Sequence, residues 1–360
     1  FRWKDSRLEA SPTDPLPVEE HAEEAWTDLS VVPLPLDGPL FKADFFGRAP
    51  LTVLLRTHHL VTDGMGIRIL LSTWSAHYRA EAAKADPPRP PRLSFLDFAA
   101  AEHGHAPPED ALEAWDRELE GASPRLALPV DHARPFSFEA RWSEIEWTET
   151  LTAAIRALAR EAHCTLFMAI AGIYQMMLSL AASELDVTVG TTVSQRDRPE
   201  TEPLVGNFGR NLLIRTVLED RRSLLENLER AREAVLAAQR RSSVSIEAWH
   251  AHRLARGRLD PPPDFQCVLL LRPAPYDRYL EMGQPVLEHP PLVRTITPDL
   301  LVDLTDGGDR IRGVFEARAD RFESAEPWVR ALTATAEAVV ASKNEDLGAL
   351  RARLAPKLLG

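Results

Sequence analysis

The stretch Leu166–Ala182 is almost entirely apolar and leads into Asp186-Val-Thr-Val-Gly-Thr-Thr192, which has the composition of a strand. Gly172, Tyr174, Gln175 and Ser179 interrupt the apolar run, and it falls short of the length a membrane span needs. A helix of a folded core, feeding directly into a strand, is therefore predicted. The second half of the chain continues in this mixed fashion. Trp142-Ser-Glu-Ile-Glu-Trp147 alternates apolar and polar residues as a half-exposed strand does. Helices are expected over residues 149–162, 223–240 and 325–342, and strands over 265–271, 300–303 and 311–318. The class is α/β (α+β), with a strand order that the sequence does not specify.

In the first half, Leu51-Thr-Val-Leu-Leu-Arg-Thr57 reads as a buried strand, and Ile67-Arg-Ile-Leu-Leu-Ser-Thr-Trp74 has the spacing of a buried helix face. That helix runs to about Lys84, and Asp86-Pro-Pro-Arg-Pro-Pro91 stops it. Residues 10–40 are rich in proline and acid and are expected to be surface loops with one short helix around 19–26. Further short helices are expected over 94–102 and 109–119. A length of 360 residues suits two lobes. The proline-laden stretch Leu128-Pro-Val-Asp-His-Ala-Arg-Pro135 marks the boundary, giving lobes of residues 1–134 and 135–360.

The formal charge of −12 argues against nucleic acid or an anionic membrane as a partner. Cys164 and Cys267 lie far apart inside apolar stretches, which fits buried thiols in a reducing cytoplasm, with a disulfide left open. The chain begins Phe1-Arg-Trp-Lys, so its natural start is expected upstream. His103-Gly-His105 and His250-Ala-His252 lack a third ligand at metal spacing and are expected to be surface histidines. No phosphate loop, dinucleotide fingerprint or nucleophile elbow is present, which disfavours a covalent acyl-enzyme.

Between the first strand and its helix stands His58-His59-Leu-Val-Thr-Asp63-Gly64. Two histidines at a strand end, with a carboxylate and a glycine beyond them, describe a held imidazole base. The competing reading is a pair of structural histidines. Asp63 fixes local geometry by accepting donors, and Gly64 lets the backbone turn tightly.

This turn resembles the His-His-x-x-x-Asp-Gly motif of condensation domains from nonribosomal peptide synthetases. Four further stretches are similar to family segments and occur in the family's order. They are Ser94-Phe-Leu-Asp97-Phe98-Ala99, Leu128 to Pro135, the run from Cys164 through Gly190, Arg196, Gly206 and Phe208 to Arg215, and the late pair Leu300-Leu-Val-Asp303 and Ile311-Arg-Gly-Val-Phe-Glu. The resemblance implies two chloramphenicol-acetyltransferase-like lobes in a V, with a central channel that receives phosphopantetheine arms from carrier proteins. It implies an acyltransferase that joins a carrier-bound acyl or peptidyl thioester to an amine, with no metal and no cofactor of its own. His59 is then the catalytic base, His58 orients the turn or takes part, Asp63 is architectural, and the Gly64 N–H is an oxyanion donor or simply begins the helix.

The chain also departs from the family. Two opening motifs have no counterpart, so the lobe of residues 1–134 is expected to be incomplete. The usual arginine partner of the motif aspartate lies in the missing part. Arg196 either replaces that partner or is a surface charge. Arg210 stands where the family has asparagine, and the adjacent Asn211 either lines the channel or is one more polar loop residue. Asp97 is expected to be a solvated or capping carboxylate without chemistry. The alternatives are an ester-forming O-acyltransferase of the same superfamily with an alcohol acceptor, and a catalytically silent module that docks carriers.

Overall fold

The computed structural model describes residues 2–4, 7–9, 18–21, 26, 29, 32–47, 51–103, 107–132, 134–258, 263–283 and 294–358. In chain order the elements begin with strands β1 (Arg2–Lys4), β2 (Arg7–Glu9), β3 (Val18–His21), β4 (Phe41–Phe46) and β5 (Thr52–Thr57). Helices α1 (Gly64–Ala83), α2 (Phe95–His103) and α3 (Glu109–Leu119) follow. Then come β6 (Ala140–Trp147), α4 (Glu149–Glu161), α5 (Leu166–Ala182), β7 (Asp186–Ser194) and β8 (Gly209–Val217). Helices α6 (Leu224–Arg240) and α7 (Ile246–Ala255) precede β9 (Cys267–Arg272). The last elements are β10 (Leu300–Asp306), β11 (Ile311–Arg318), α8 (Glu326–Ala341) and α9 (Leu347–Leu354). The class is the mixed α/β one expected.

The chain divides into two units. The smaller comprises residues 1–106, 194–209 and 276–293, and the larger comprises residues 107–193, 210–275 and 294–360. This differs from a single cut at residue 134. Leu112, Trp115 and Leu119 of α3, with Leu126 and Leu128, belong to the core cluster of the larger unit. Arg215 of β8 fastens the end of α3 by donating to the carbonyls of Glu118 and Glu120. The proline-rich stretch is thus a loop within the larger unit.

In the larger unit a sheet of order β6-β11-β10-β9-β7-β8 packs against helices. β10 runs parallel to β9 and antiparallel to β11, and β11 runs antiparallel to β6. Helix α5 is buried along nearly its whole length, as an apolar helix without a polar face must be. Its polar interruptions are satisfied. The Gln175 amide donates to the carbonyls of Val187 and Ile214 and accepts from the Thr216 hydroxyl, and Ser179 donates to the Glu184 carbonyl. Thr165 and Ser223 cap α5 and α6, each bonding the backbone N–H three residues on.

In the smaller unit β3, β4 and β5 form a sheet, β3 parallel and β5 antiparallel to β4. Of the helix expected over 19–26, residues 19–21 belong instead to the strand Val18–His21, residues 22–25 lie outside the described residues, and Trp26 is helical. Glu19 pairs with Lys42, and His21 bonds Asp44 and stacks on Phe46, so β4 supplies the partners that hold this segment extended. Strands β1, β2, β4 and β8 and helices α7 and α9 go beyond the elements expected from the sequence. The remaining expected elements are observed within a few residues at their ends.

Cys164 and Cys267 are free thiols, and burial pushes that of Cys267 well above its ordinary pKa. His250 and His252 are half-buried on α7 rather than at the surface, and burial lowers the pKa of His250. His105 of the other histidine pair lies outside the described residues. No single helix among the described residues is long and apolar enough to cross a membrane.

Candidate active site

Strand β5 delivers the histidine turn. The His58 N–H donates to the Leu40 carbonyl at 2.8 Å, extending the β4–β5 ladder by one residue, and the Val61 N–H closes the turn onto the His58 carbonyl at 3.1 Å. The Leu60 N–H donates to Nδ1 of His58 at 3.1 Å. A ring nitrogen that accepts carries no proton, so His58 is the neutral tautomer with its hydrogen on Nε2. The His58 ring is thereby tied to the backbone of the turn. His59, one residue on, is exposed, and among the described residues no hydrogen bond engages its ring. The two adjacent imidazoles thus differ: one is bonded to the backbone, and the other is exposed with no hydrogen-bond partner among the described residues.

Asp63 closes the turn and begins α1 as its N-cap, with extended backbone at φ −122° and ψ −179°. One carboxylate oxygen, Oδ1, accepts from the Gly66 N–H at 2.6 Å and from Arg196 at 3.1 Å. The other, Oδ2, accepts from Arg196 at 2.8 Å and from the Phe208 N–H at 2.9 Å. The Asp63 N–H donates to the Gly206 carbonyl. Four donors, two from Arg196 and two from backbone N–H groups, thus engage this one buried carboxylate.

Arg196 is far from a surface charge, its side chain being 4% exposed. Beyond its bidentate pairing with Asp63 it donates to the carbonyls of Leu204 and Gly206 and to the Ser194 hydroxyl, and it lies over the Phe208 ring at 4.2 Å. A planar guanidinium matches a carboxylate with two parallel hydrogen bonds, which fixes direction as well as distance. The segment 194–209 is thereby locked to the turn. Phe95 and Phe98 of α2 also pack against Phe208, with ring centroids 5.2 and 4.6 Å away. Asp97 caps α2 by accepting from the Ser94 N–H and hydroxyl, which holds its carboxyl below the usual range.

Two glycines shape the start of α1. A Cβ on Gly66 would meet Thr62 Oγ1 at 2.5 Å and the Gly206 carbonyl at 3.0 Å. Residue 66 must therefore be glycine for the loop to close on the turn. Gly64 is exposed and opens the helix, and among the described residues a Cβ there would meet the Tyr276 hydroxyl, at 3.3 Å. The Asp63 side chain caps the Gly66 N–H and leaves that of Gly64 uncapped.

His58, His59, Asp63, Gly64 and Arg196 therefore belong to one unit. Asn211 belongs to the other, and it is a strand residue of β8 rather than a loop residue. It accepts from the Thr192 hydroxyl at 2.9 Å and donates to Glu247 at 3.1 Å. Arg210, beside it, donates to the carbonyls of Ser242 and Ser243 before α7. Sequence reasoning assigned no role to Gly66, to the Gly206 carbonyl or to Phe208. A second glycine two residues after the motif was the available signal for Gly66, and the family-like Val205-Gly206-Asn-Phe208 run that carries the other two does not say which of their atoms meet the turn.

Glu19, His21 and Asp44 bring ligand-type atoms within 4.8 Å of one another. Lys42 and Arg56 already neutralise the two carboxylates, so the group is a salt-bridge cluster of the sheet.

A family model described as the condensation domain matches residues 9–260. A linear gramicidin synthase polypeptide of Brevibacillus parabrevis is 29% identical over 326 residues, which is 87% of this chain and 6% of that protein. Malpinin synthetase of Mortierella alpina is 31% identical over 239 residues, 64% of this chain and 3% of that protein. The chain thus spans a small part of such relatives. Among solved structures, the first condensation domain of the CDA synthetase matches with a TM-score of 0.77 and 17% identity, covering 93% of this chain and 77% of that one. The X-domain from teicoplanin biosynthesis, in its complex with OxyB, matches with a TM-score of 0.75 and 22% identity, covering 92% and 78%. At these identities the structural matches show a shared fold.

Proposed function

The chain belongs to the condensation-domain family of nonribosomal peptide synthetases, and from that premise we propose that it is an acyltransferase that joins a carrier-borne acyl or peptidyl thioester to an amine. The carrying observation is the contrast within the histidine turn. His58 is bonded through Nδ1 to the backbone, Asp63 is saturated by Arg196 and two backbone N–H groups, and His59 alone presents an unengaged imidazole. The rigid parts of the turn serve the one part that is free.

In this reading the amine nitrogen attacks the thioester carbonyl while His59 removes its proton, a contribution of roughly 10²–10⁴ in rate. The Gly64 N–H, uncapped at the start of α1, faces the oxygen on which charge develops. The carbon–sulfur bond then breaks, and the departing thiolate takes up the proton held by His59. Phosphopantetheine arrives on the carrier, and holding donor and acceptor side by side supplies much of the remaining acceleration.

The test supplies a carrier protein loaded with a panel of N-acetyl-aminoacyl thioesters, together with amino-acid amides or the matching hydroxy-acid amides. Amide product that disappears in His59→Ala supports the reading. Preferential ester formation replaces it with the O-acyltransferase reading. A second reading, a docking module without turnover, is favoured by the fold shared with an X-domain that was solved in complex with OxyB. Stable carrier binding without product from any thioester pair would select it.

A further inference from the structure

Gly206 is buried, and its carbonyl accepts from the Asp63 N–H at 3.2 Å and from Arg196 at 3.1 Å. One backbone oxygen thus meets both members of the pair that closes the histidine turn. Two helices crowd this residue. Towards α1, a Cβ on Gly66 would stand 3.0 Å from the Gly206 carbonyl oxygen. Towards α2, a Cβ on Gly206 itself would meet Cδ2, Cγ and Cβ of Phe95 at 2.3, 2.4 and 2.8 Å. The backbone of residue 206 lies outside the left-handed region, so its conformation does not call for glycine. Packing does: the base of the Phe95 side chain fills the space that a side chain at 206 would take. Phe95 also meets the Phe208 ring at 5.2 Å, the ring on which the Arg196 guanidinium rests at 4.2 Å.

We propose that Phe95 is a positioning residue for the transfer reaction: seated where Gly206 lacks a side chain, it holds the Gly206 carbonyl in place for Asp63 and Arg196, and so fixes one end of the turn that carries His59. The inference rests on the reading of the chain as a condensation-type acyltransferase. His59 stands between two anchors. At the first, the His58 N–H is bonded to the Leu40 carbonyl and extends the β4–β5 ladder. At the second, Asp63 is bonded to the Gly206 carbonyl, to Arg196 and to the Phe208 N–H. Residues 195–208 lie between β7 and β8 and outside both strands, so packing rather than a ladder sets where the Gly206 carbonyl points. Phe95 supplies that packing and acts on the chemistry only through the groups it holds. A displacement of about 1 Å at a reacting group, caused by a change away from the chemistry, can cost about 100-fold in rate.

The experiment compares Phe95→Ala, Phe95→Tyr, Gly206→Ala and the double variant Phe95→Ala/Gly206→Ala in the carrier-loaded N-acetyl-aminoacyl thioester assay. Hydrogen exchange is followed alongside in peptides covering residues 58–66 and 204–210 and in α5. Phe95→Ala is expected to lower kcat about 10- to 100-fold, with KM within about twofold. Exchange should quicken in the two site peptides while α5 keeps its wild-type protection. The contacts to residue 206 come from the base of the ring and the added hydroxyl sits at its far end, so Phe95→Tyr is expected to match the wild type in both readouts. Gly206→Ala should slow turnover as Phe95→Ala does, and the double variant should be no slower than the worse single one, because the added Cβ takes up room the ring has left. Where Gly206→Ala fails to fold, the two Phe95 variants decide. A wild-type kcat in Phe95→Ala, a change confined to KM, fully multiplicative losses in the double variant, or quickened exchange that spreads to α5 overturns the proposal. If His59→Ala abolishes product while Phe95→Ala does not slow it, this inference fails and the acyltransferase reading stands. If the wild-type chain makes no amide from any thioester, that reading falls and takes the positioning role with it.

Discussion

Different physics stabilises each of the two units. In the larger, some fifty buried apolar side chains form one continuous cluster around α5 and the inner face of the six-stranded sheet. In the smaller, the fully buried apolar residues among those described are few: Leu40, Ala43, Phe46, Val61, Leu71, Leu204 and Phe208. Charged and polar ties take over there. Asp44, wholly buried, accepts from His21 and from two nitrogens of Arg56, and Asp63 accepts from Arg196 and two backbone groups. Apolar packing is non-directional and tolerates small shifts, whereas bidentate ion pairs fix angles. The unit that carries the histidine turn is built from the interaction that specifies direction.

That contrast yields predictions that attack chemistry and stability separately. The largest effect is expected for His59→Ala, with turnover falling about 10²- to 10⁴-fold and no change in the thermal midpoint. A loss of activity explained by unfolding would erase the distinction. Next, Leu178→Ala in α5, where the side chain is fully buried, is expected to cost about 2–5 kcal/mol in denaturant unfolding. It should leave the carrier-loaded transfer rate nearly unchanged under folded conditions. A collapse of activity at full folding would mean that the apolar core also tunes the site.

Acid is expected to act in opposite senses on the Asp44 cluster of the smaller unit and on the buried carboxyls around β9–β11 of the larger, where Glu146 and Glu226, held below their usual range by arginine and capping partners, follow Asp44 instead. Burial raises the carboxyl of Asp44, but hydrogen bonds from His21 and Arg56, with the charges of Arg56 and Lys42, overcome it and leave the pKa below 3.8. The stability this carboxylate contributes is present above pH 3.8 and is lost as pH falls through its lowered value. Asp264, Asp303 and Glu316 of the larger unit have pKa values raised by burial. Their contribution is complete below their ordinary values and is lost as pH rises through the raised ones. Hydrogen exchange compared at about pH 6 and about pH 3, corrected for intrinsic rates, should show amides of β3–β5 losing more protection than those of β9–β11. Equal losses would remove the electrostatic half of the comparison. The smallest effect is expected for His58→Asn, in which the amide oxygen replaces Nδ1 as acceptor for the Leu60 N–H. Turnover should stay within about threefold of wild type, since a retained neutral hydrogen bond is worth only about 1 kcal/mol. A fall like that of His59→Ala would make His58 a participant in the chemistry.

The same contrast explains what is legible in the sequence. Composition and periodicity bound helix α5 and strand β11 within a residue, because an apolar core imposes a local pattern on each segment that enters it. Strand β4, Phe41-Lys-Ala-Asp-Phe-Phe46, carries no such pattern. Its Lys42 and Asp44 are unsuited to a buried strand until Glu19, His21 and Arg56 are placed beside them, and those partners come from other strands. Residues 19–21 read as helix for the same reason. At the site, Arg196 is a candidate partner for Asp63 across 133 residues because both lie in stretches resembling one family. The Phe208 N–H and the Gly206 carbonyl are not, since backbone groups leave no mark in a sequence. Tyr276 reaches Gly64 through chain connectivity that no local pattern encodes.

The pairing of Asp63 with Arg196 is the point at which direction is imposed on the histidine turn, and a double-mutant cycle on amide formation tests it most directly. Asp63→Asn keeps the size of the side chain and Arg196→Lys keeps its charge, while each breaks the bidentate match. Each is expected to lower turnover about 100-fold, and the double variant is expected to be no slower than the worse single one, because both remove the same constraint. Fully multiplicative losses, or an Asp63→Asn protein that works at the wild-type rate, would contradict the account.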